Sequence, residues 1–150
     1  MGNTKLVLAE VKIMLYRGTT PYHSFTLPLS IDEIVELYVT YWQNGEVVLE
    51  KDLSEIELAP IEQDESGFIT DTNIGDDIIG NNMDIEEEKP KGCQATIHLT
   101  QEDTLAFKFY PAAEKNITAI QIRVLDTEGE AYASEVIHER IYGVLKDGVI

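Results

Sequence analysis

Three histidines are the side chains in this sequence best suited to metal binding or proton transfer. They are His23, His98 and His138. Neutral imidazole is the commonest metal ligand in proteins, and it titrates near neutral pH. The three residues lie far apart, each in a predicted strand between polar or β-branched neighbours. We therefore expect solvent-facing strand histidines and no shared metal site.

The single cysteine offers little chemistry. Cys93 has no second cysteine with which to form an internal disulfide or a cysteine zinc site, which fits a chain made in a reducing cytosol. It stands beside an acidic segment, and nearby carboxylates raise the pKa of a thiol. The sequence also lacks H-E-x-x-H, C-x-x-C, G-x-S-x-G and glycine-rich phosphate motifs. We predict a non-enzyme with an inert Cys93, no catalytic residues, no cofactor and no resident metal.

Carboxylates are abundant, including Asp76-Asp77 and Glu86-Glu87-Glu88. With so many available, any pair chosen as catalytic acid and base would be arbitrary. Residues 71–77 resemble part of a calcium loop, but an EF-hand needs an oxygen ligand at its fifth position and glycine at its sixth. Here Gly75 is fifth and Asp76 is sixth, so the motif fails. Weak cation binding by clustered carboxylates and a solvated acidic loop remain the alternatives.

Aromatic residues are the stronger indication of a binding surface. Tyr38, Tyr41 and Trp42 lie on one predicted strand, where successive side chains point to opposite faces. Tyr38 and Trp42 therefore share a face that Tyr41 does not. One set should be core and the other could be an exposed contact surface, since Tyr and Trp are enriched at interfaces; alternatively, both faces are covered within one sandwich. Tyr38, Trp42 and Tyr142 form the candidate interaction surface.

The elements that must position these residues are short strands. Turn signals delimit about seven strands, including a hairpin over residues 37–51 that turns at Asn44-Gly45. The segments are 5–16 with an irregularity at Ala9–Glu10, 22–29, 37–51, 53–59, 94–99, 117–125 and 131–142. Ser30 and Glu33 form a capping box for a helical turn, and Thr100 caps a second that ends near Phe107. The predicted fold is an all-β, antiparallel, immunoglobulin-like β-sandwich, with a small closed barrel as the alternative, because no long helix could connect parallel strands.

Length and charge restrict the partners. The 150 residues indicate a single domain, and a net charge of −17 argues against nucleic acid and anionic membranes. Charged Glu10 and Lys12 interrupt the apolar stretch near the start of the chain, so we predict neither a signal peptide nor a membrane span there. Residues 60–92 hold ten carboxylates and two lysines, a net charge of −8. We interpret them as an acidic insertion, because this composition cannot bury much surface.

Several strings carry a resemblance to a known family. They are Tyr16-Arg17-Gly18-Thr19-Thr20-Pro21, Phe25-Thr26-Leu27-Pro28, Tyr38-Val39-Thr40, Gln43-Asn44-Gly45, Glu50-Lys51-Asp52-Leu53, Leu99-Thr100-Gln101-Glu102-Asp103-Thr104-Leu105, Ile120-Gln121-Ile122-Arg123-Val124 and Leu145-Lys146-Asp147-Gly148-Val149-Ile150. With them the chain resembles small proteins encoded among the virion structural genes of tailed phages and prophages of Gram-positive gut bacteria. Its layout is similar to the N-terminal β-sandwich domain of phage baseplate upper proteins. The N-terminal strand before Met14 and the acidic segment are additions to that pattern. The resemblance implies a structural role and supplies no site residues.

The leading hypothesis is a non-enzymatic virion protein associated with the tail, baseplate or capsid. Made in the host cytoplasm and located in the virion, it would bind other virion proteins as a homo-oligomer and contribute to assembly or host attachment. The segment before Met14 and residues 144–150 are candidates for docked or exchanged strands. One alternative is an acidic DNA mimic that inhibits a host DNA-processing enzyme. Another is a carbohydrate-binding module that stacks sugars on Trp42 and Tyr38.

Overall fold

The computed structural model describes residues 4–61, 92–113 and 116–144, and these residues form an all-β chain. Their strands are β1 (Thr4–Leu6), β2 (Val11–Lys12), β3 (Leu15–Tyr16), β4 (Tyr22–Leu27), β5 (Ile34–Gln43), β6 (Glu46–Asp52), β7 (Glu57–Pro60), β8 (Cys93–His98), β9 (Ile117–Asp126), β10 (Ala131–Ser134) and β11 (Ile137–Tyr142). The helical elements are 3-10 turns at Ile31–Glu33 and Leu53–Glu55 and one short helix, α1 (Gln101–Leu105). In this part of the chain, no helix is long and apolar enough to cross a membrane.

The strands form two sheets. In the larger, seven-stranded sheet, β5 lies between β6 and β9, and the far side of β9 pairs with β10 near one end and β11 near the other. The smaller sheet has the order β2-β4-β8-β7. This division corresponds to the immunoglobulin arrangement, in which strands ABED oppose strands that include CFG. The predicted sandwich is confirmed, with more and shorter strands than the sequence suggested.

The predicted single strand over residues 5–16 is wrong. The chain starts in the larger sheet as β1, crosses to the smaller sheet as β2 and returns to the larger sheet as β3. The crossing begins at the predicted irregularity, where the backbone N–H of Thr26 donates to the carbonyl of Glu10 at 2.8 Å. Both β1 and β3 run parallel to their neighbours β10 and β11, so the pairing is not antiparallel throughout.

Turn and cap predictions agree with the structure. Asn44 and Gly45 both have positive φ angles, of 53° and 81°, as a tight hairpin turn requires. The Glu33 carboxylate accepts from the Ser30 backbone N–H at 3.2 Å, and the Thr100 hydroxyl accepts from the Asp103 N–H at 3.0 Å, so both predicted helical turns are capped. The strand predicted over residues 53–59 begins later than expected, because Asp52 caps the 3-10 turn that precedes β7.

The core lies between the sheets. Its largest fully buried side chains are Tyr41, Phe25, Phe107, Leu6, Leu15, Leu27, Leu37, Ile97, Leu99, Ile120, Ile122 and Ile141. The rings of Tyr41 and Phe107 meet edge to face with centroids 5.8 Å apart, an arrangement that aromatic pairs favour. Tyr41 therefore belongs to the core, and it is the core member of the two aromatic sets on this strand.

His23 also lies in this core, so its predicted solvent-facing position is wrong. Its Nδ1 is 2.8 Å from the Tyr41 hydroxyl and its Nε2 is 2.9 Å from the Met14 carbonyl oxygen. Because a carbonyl can only accept, Nε2 donates to it and Nδ1 accepts from the Tyr41 hydroxyl. Both polar atoms are thus satisfied, which is the condition for burying an imidazole. The residue joins β4, β5 and the point at which the N-terminal segment returns to the larger sheet.

Burial keeps both members of this pair neutral. It lowers the pKa of His23 and raises the pKa of Tyr41, because the charged form of each would lose its hydration. In immunoglobulin domains a disulfide and a tryptophan occupy the middle of the sandwich. In this protein a neutral hydrogen-bonded His–Tyr pair connects the two sheets.

Several predicted features lie outside the described residues. They are positions 62–91 of the acidic insertion, including the failed calcium loop at 71–77 and both acidic runs, and residues 145–150 of the tail. The insertion connects the ends of two neighbouring antiparallel strands, since Pro60 at the end of β7 pairs with Cys93 at the start of β8.

Candidate interaction surface

The outward face of the larger sheet contains Tyr38 and Trp42. Along β5, Leu37, Val39 and Tyr41 are buried while the residues between them point outward. Trp42 keeps 49% of its surface exposed. The alternation therefore places Tyr41 in the core, and Tyr38 and Trp42 on a face that no other described part of the chain covers completely.

Tyr142 shares this face. Directly paired residues on neighbouring strands point to the same side of a sheet. Trp42 pairs with Ala119, and Ala119 pairs with His138 on β11. Four residues beyond His138, Tyr142 returns to the same side and stacks on Tyr16 of β3 with ring centroids 4.7 Å apart. The structure thus brings all three candidate residues to one face.

We call this surface the outer face. Its residues are Glu36, Tyr38, Thr40 and Trp42 of β5; Val47, Glu50 and Asp52 of β6; Ile117, Ala119, Gln121, Arg123 and Leu125 of β9; Ala131 and Ala133 of β10; Lys5 of β1; His138, Arg140 and Tyr142 of β11; and Tyr16 of β3. Three carboxylates lie toward one end of it. The large exposed apolar side chains and Arg140 lie toward the other.

At the acidic end, polar groups surround the Tyr38 ring. The guanidinium of Arg123 lies 5.2 Å from the ring centroid and also donates to the Glu50 carboxylate at 3.2 Å. The Tyr38 hydroxyl makes a long contact with Glu36 at 3.4 Å. The Glu36 carboxylate raises the pKa of Tyr38, because the phenolate would face a like charge. Tyr38 therefore remains a neutral hydrogen-bond donor on this surface.

The aromatic end is largely apolar. Trp42 pairs with Val47, which is 62% exposed, and with Ala119 on its other side. Ile117 is also exposed, and the Arg140 guanidinium lies 5.7 Å from the centroid of the Tyr142 ring. Exposed aromatic, aliphatic and arginine side chains are the composition that interface centres favour. This end can bind an apolar partner surface, with Arg140 available for a carboxylate.

Sequence reasoning missed much of this face, including Arg123, Arg140 and Val47. A signal for Arg123 was present, because the buried alternation of Ile120, Ile122 and Val124 leaves Arg123 outward. Nothing in one sequence, however, shows that β9 lies between β5 and β11. Without that pairing, outward residues of distant segments cannot be assigned to one surface.

The residues considered for catalysis or metal binding are dispersed. His23 lies in the core, whereas the exposed His98 and His138 point outward from different sheets. Cys93 is buried in β8, and this burial raises the pKa of its thiol. The direction agrees with the prediction, but the cause is desolvation rather than nearby carboxylates. Across residues 4–61, 92–113 and 116–144, no three His, Cys, Asp or Glu residues are grouped to hold a metal ion.

Comparison with known proteins assigns no family, since no family model and no curated protein matches the chain.

Proposed function

We propose that this protein is a non-enzymatic structural component of a tailed-phage particle, where it contributes to assembly or host attachment. The interaction role rests on the outer face, where the exposed Trp42 and Tyr142 lie with the half-buried Tyr38 on one side of the larger sheet. The phage assignment rests on the sequence strings that resemble virion structural proteins. The location is the virion, and the partners are other virion proteins.

Trp42 is the residue expected to dominate such a contact. It lies between the exposed Val47 and Ala119, so a partner surface can cover it on several sides. Tryptophan at the centre of a covered patch commonly contributes more binding energy than its neighbours. We expect Trp42→Ala to weaken docking by at least about tenfold, or about 1.4 kcal/mol.

Strand β6 provides a second means of attachment. Among the described strands it pairs only with β5, so its other edge carries unpaired backbone groups. A strand of a neighbouring subunit can add to such an edge through main-chain hydrogen bonds. The free edge of β6 and the outer face meet at Val47, so one partner could bind the edge and the face together.

The test is incorporation into particles. The tagged wild-type chain, Trp42→Ala and the control Tyr22→Ala would each be produced in a phage-producing host. Tyr22 is an exposed aromatic residue on the opposite sheet. Particles purified by density gradient would be quantified by mass spectrometry and imaged after gold labelling. We expect wild type and Tyr22→Ala in particles at fixed stoichiometry, with less Trp42→Ala; a wild-type chain absent from particles would refute the proposal.

The exposure of Trp42 also favours a second candidate, the carbohydrate-binding module. A sugar ring could stack on the half-exposed indole, with Thr40 and Gln121 nearby on the same face as hydrogen-bonding groups. Binding on a glycan array that is lost in Trp42→Ala and kept in Tyr22→Ala would support this function. For the DNA-mimic alternative, ten of the 28 carboxylates lie in the acidic insertion, outside the described part of the chain, and no structural observation favours this function.

A further inference from the structure

We propose that the outer face binds the same face of a second copy of this chain, forming a dimer with a two-fold axis in the plane of contact. This inference rests on the proposed function only in assigning the contact to particle assembly. The pairing itself is a property of the purified chain. It names the partner and the surface that the proposed function leaves open.

The first argument is the position of opposite charges on the face. Glu36 on β5 pairs with Leu125 near one end of β9, whereas Arg140 on β11 pairs with Ile117 at the other end. Since β5 and β11 flank β9 on opposite sides, the two charges occupy diagonal corners, about 26 Å apart along the strands at the usual rise per residue. Neither residue has an ion pair within the described residues.

In an isologous contact both copies use the same surface patch, so each contact between two residues occurs twice. A two-fold axis perpendicular to this diagonal, through its midpoint, places Glu36 of each copy against Arg140 of the other, creating two equivalent ion pairs. The strands of the two copies then cross at roughly 40°, close to the angle at which aligned sheets pack. Trp42 lies near this axis, so its exposed indole is covered by the second copy.

The second argument is the distribution of arginine. The chain has three arginines, and two of them, Arg123 and Arg140, lie on this face. A chain with a net charge of −17 would attract a cationic partner to almost any surface without needing arginines there. A face that carries both carboxylates and arginines is instead complementary to itself. Arginine is also enriched in interfaces, whereas most charged residues are depleted from their centres.

The overall negative charge opposes pairing at low ionic strength. At about 0.15 M salt the Debye length is about 8 Å, so repulsion between distant parts of two copies is screened. Contacts within the interface are screened less because water is excluded from them. Association measured at this ionic strength therefore reports the contacts of the outer face rather than the repulsion between the two net charges.

The experiment is sedimentation equilibrium of the purified full chain, with thermal unfolding to confirm that each variant is folded. We expect a concentration-dependent dimer, a dimer dissociation constant raised at least tenfold in Trp42→Ala, and no change in the matched control Tyr22→Ala. A wild-type chain that remains monomeric at about 100 μM, a concentration well above micromolar affinity, would overturn the proposal. So would a dimer unaffected by Trp42→Ala.

Charge exchange distinguishes this contact from any other. Glu36→Arg alone places two arginines at each corner contact, and Arg140→Glu alone places two carboxylates there, so each variant should dissociate. An equimolar mixture of the two variants restores opposite charges at both contacts, and we expect a heterodimer of wild-type affinity. Absence of this mutual rescue would sink the proposed arrangement. A wild-type chain that is monomeric yet present in particles would refute the dimer and leave the proposed function intact. A dimeric chain that is absent from particles would refute the proposed function and leave the dimer intact.

Discussion

The two faces of the larger sheet use aromatic residues in opposite ways, and adjacent residues of β5 show the contrast. Tyr41 points inward, is fully buried, and donates its hydroxyl to His23. Trp42 points outward with about half of its surface exposed. Within the described residues, no buried side-chain nitrogen or oxygen lacks a hydrogen-bond partner. The buried polar groups of the inner face find their hydrogen-bond partners within one chain. The outer face instead has exposed apolar side chains and charged groups that a second molecule can contact.

The smaller sheet shows that exposure alone does not create such a surface. Its outward residues include Ser24, Thr26 and Thr96, with one aromatic stack between Tyr22 and His98, whose centroids lie 4.1 Å apart. Short hydroxyl side chains suit a solvated face. Inner-face substitutions should therefore change the free energy of unfolding, and outer-face substitutions on the larger sheet should change association.

The largest effect is expected for Tyr41→Ala. Removing a buried aromatic ring leaves a cavity and typically costs about 3–5 kcal/mol of unfolding free energy. It also leaves Nδ1 of His23 without its partner. Urea denaturation would measure the loss, with Trp42→Ala as the adjacent control. Equal losses in the two variants would contradict the division between the faces.

A smaller loss is expected for Tyr41→Phe, which keeps the ring and removes only the hydroxyl. The buried Nδ1 acceptor is then unsatisfied, at a cost of about 1–3 kcal/mol. Combining this change with His23→Leu should cost less than the sum of the two single changes, because the second removes the orphaned acceptor. Strict additivity in this double-mutant cycle would show that the pair is not coupled.

The pH dependence of stability should report the same pair. Burial lowers the pKa of His23 below its ordinary value of 6.5. As the pH falls through that value, the unfolded chain takes up a proton at His23 and the folded chain does not. The stabilisation is thus complete above about pH 7 and decreases toward acid, by at most about 1.4 kcal/mol per pH unit.

The control for this measurement is His23→Gln, which cannot titrate. Urea denaturation between pH 5 and 7 should show a shallower slope for this variant than for wild type. The range avoids most carboxylate titration, such as that of Asp126, whose pKa is lowered by the backbone N–H of Glu130. Identical slopes would contradict a buried neutral His23.

The smallest effect is expected for the stability of Trp42→Ala. An exposed substitution of this kind usually changes the unfolding free energy by about 0.5 kcal/mol or less. Calorimetry of the dilute, monomeric protein would measure it beside Tyr22→Ala. A loss of several kcal/mol would mean that Trp42 supports the fold, and the outer face would no longer be a recognition surface.

Strand alternation and turn chemistry predicted much of the fold. The Asn44-Gly45 hairpin, the helical turns that begin after Ser30 and Thr100, and the shared face of Tyr38 and Trp42 depend on neighbouring residues, so local rules were sufficient. The N-terminal strand was mispredicted because its transfer between sheets depends on distant partners in β4, β10 and β11.

The environment of individual polar residues was harder to predict. His23 lies two and four residues before Phe25 and Leu27, so strand alternation places it on the buried face. The sequence does not show the Tyr41 hydroxyl and the Met14 carbonyl, which make burial of a polar imidazole favourable. The charges on the outer face presented the same difficulty. Arg123 and Arg140 come together with Trp42 only through the order of strands in the sheet.

The parallel pairing of β3 with β11 has a mechanical consequence. Strand β3 leads back toward the N-terminus through β2 and β1, and β11 leads on toward the C-terminus. Once β1 and β2 have detached from β10 and β4, tension on the two ends pulls β3 and β11 in opposite directions along their length. Their hydrogen bonds, together with that from the Arg17 N–H to the Tyr142 carbonyl at 3.0 Å, are then stressed simultaneously in shear rather than opened one at a time. A parallel pair loaded in this way resists extension more strongly than an antiparallel pair that could unzip.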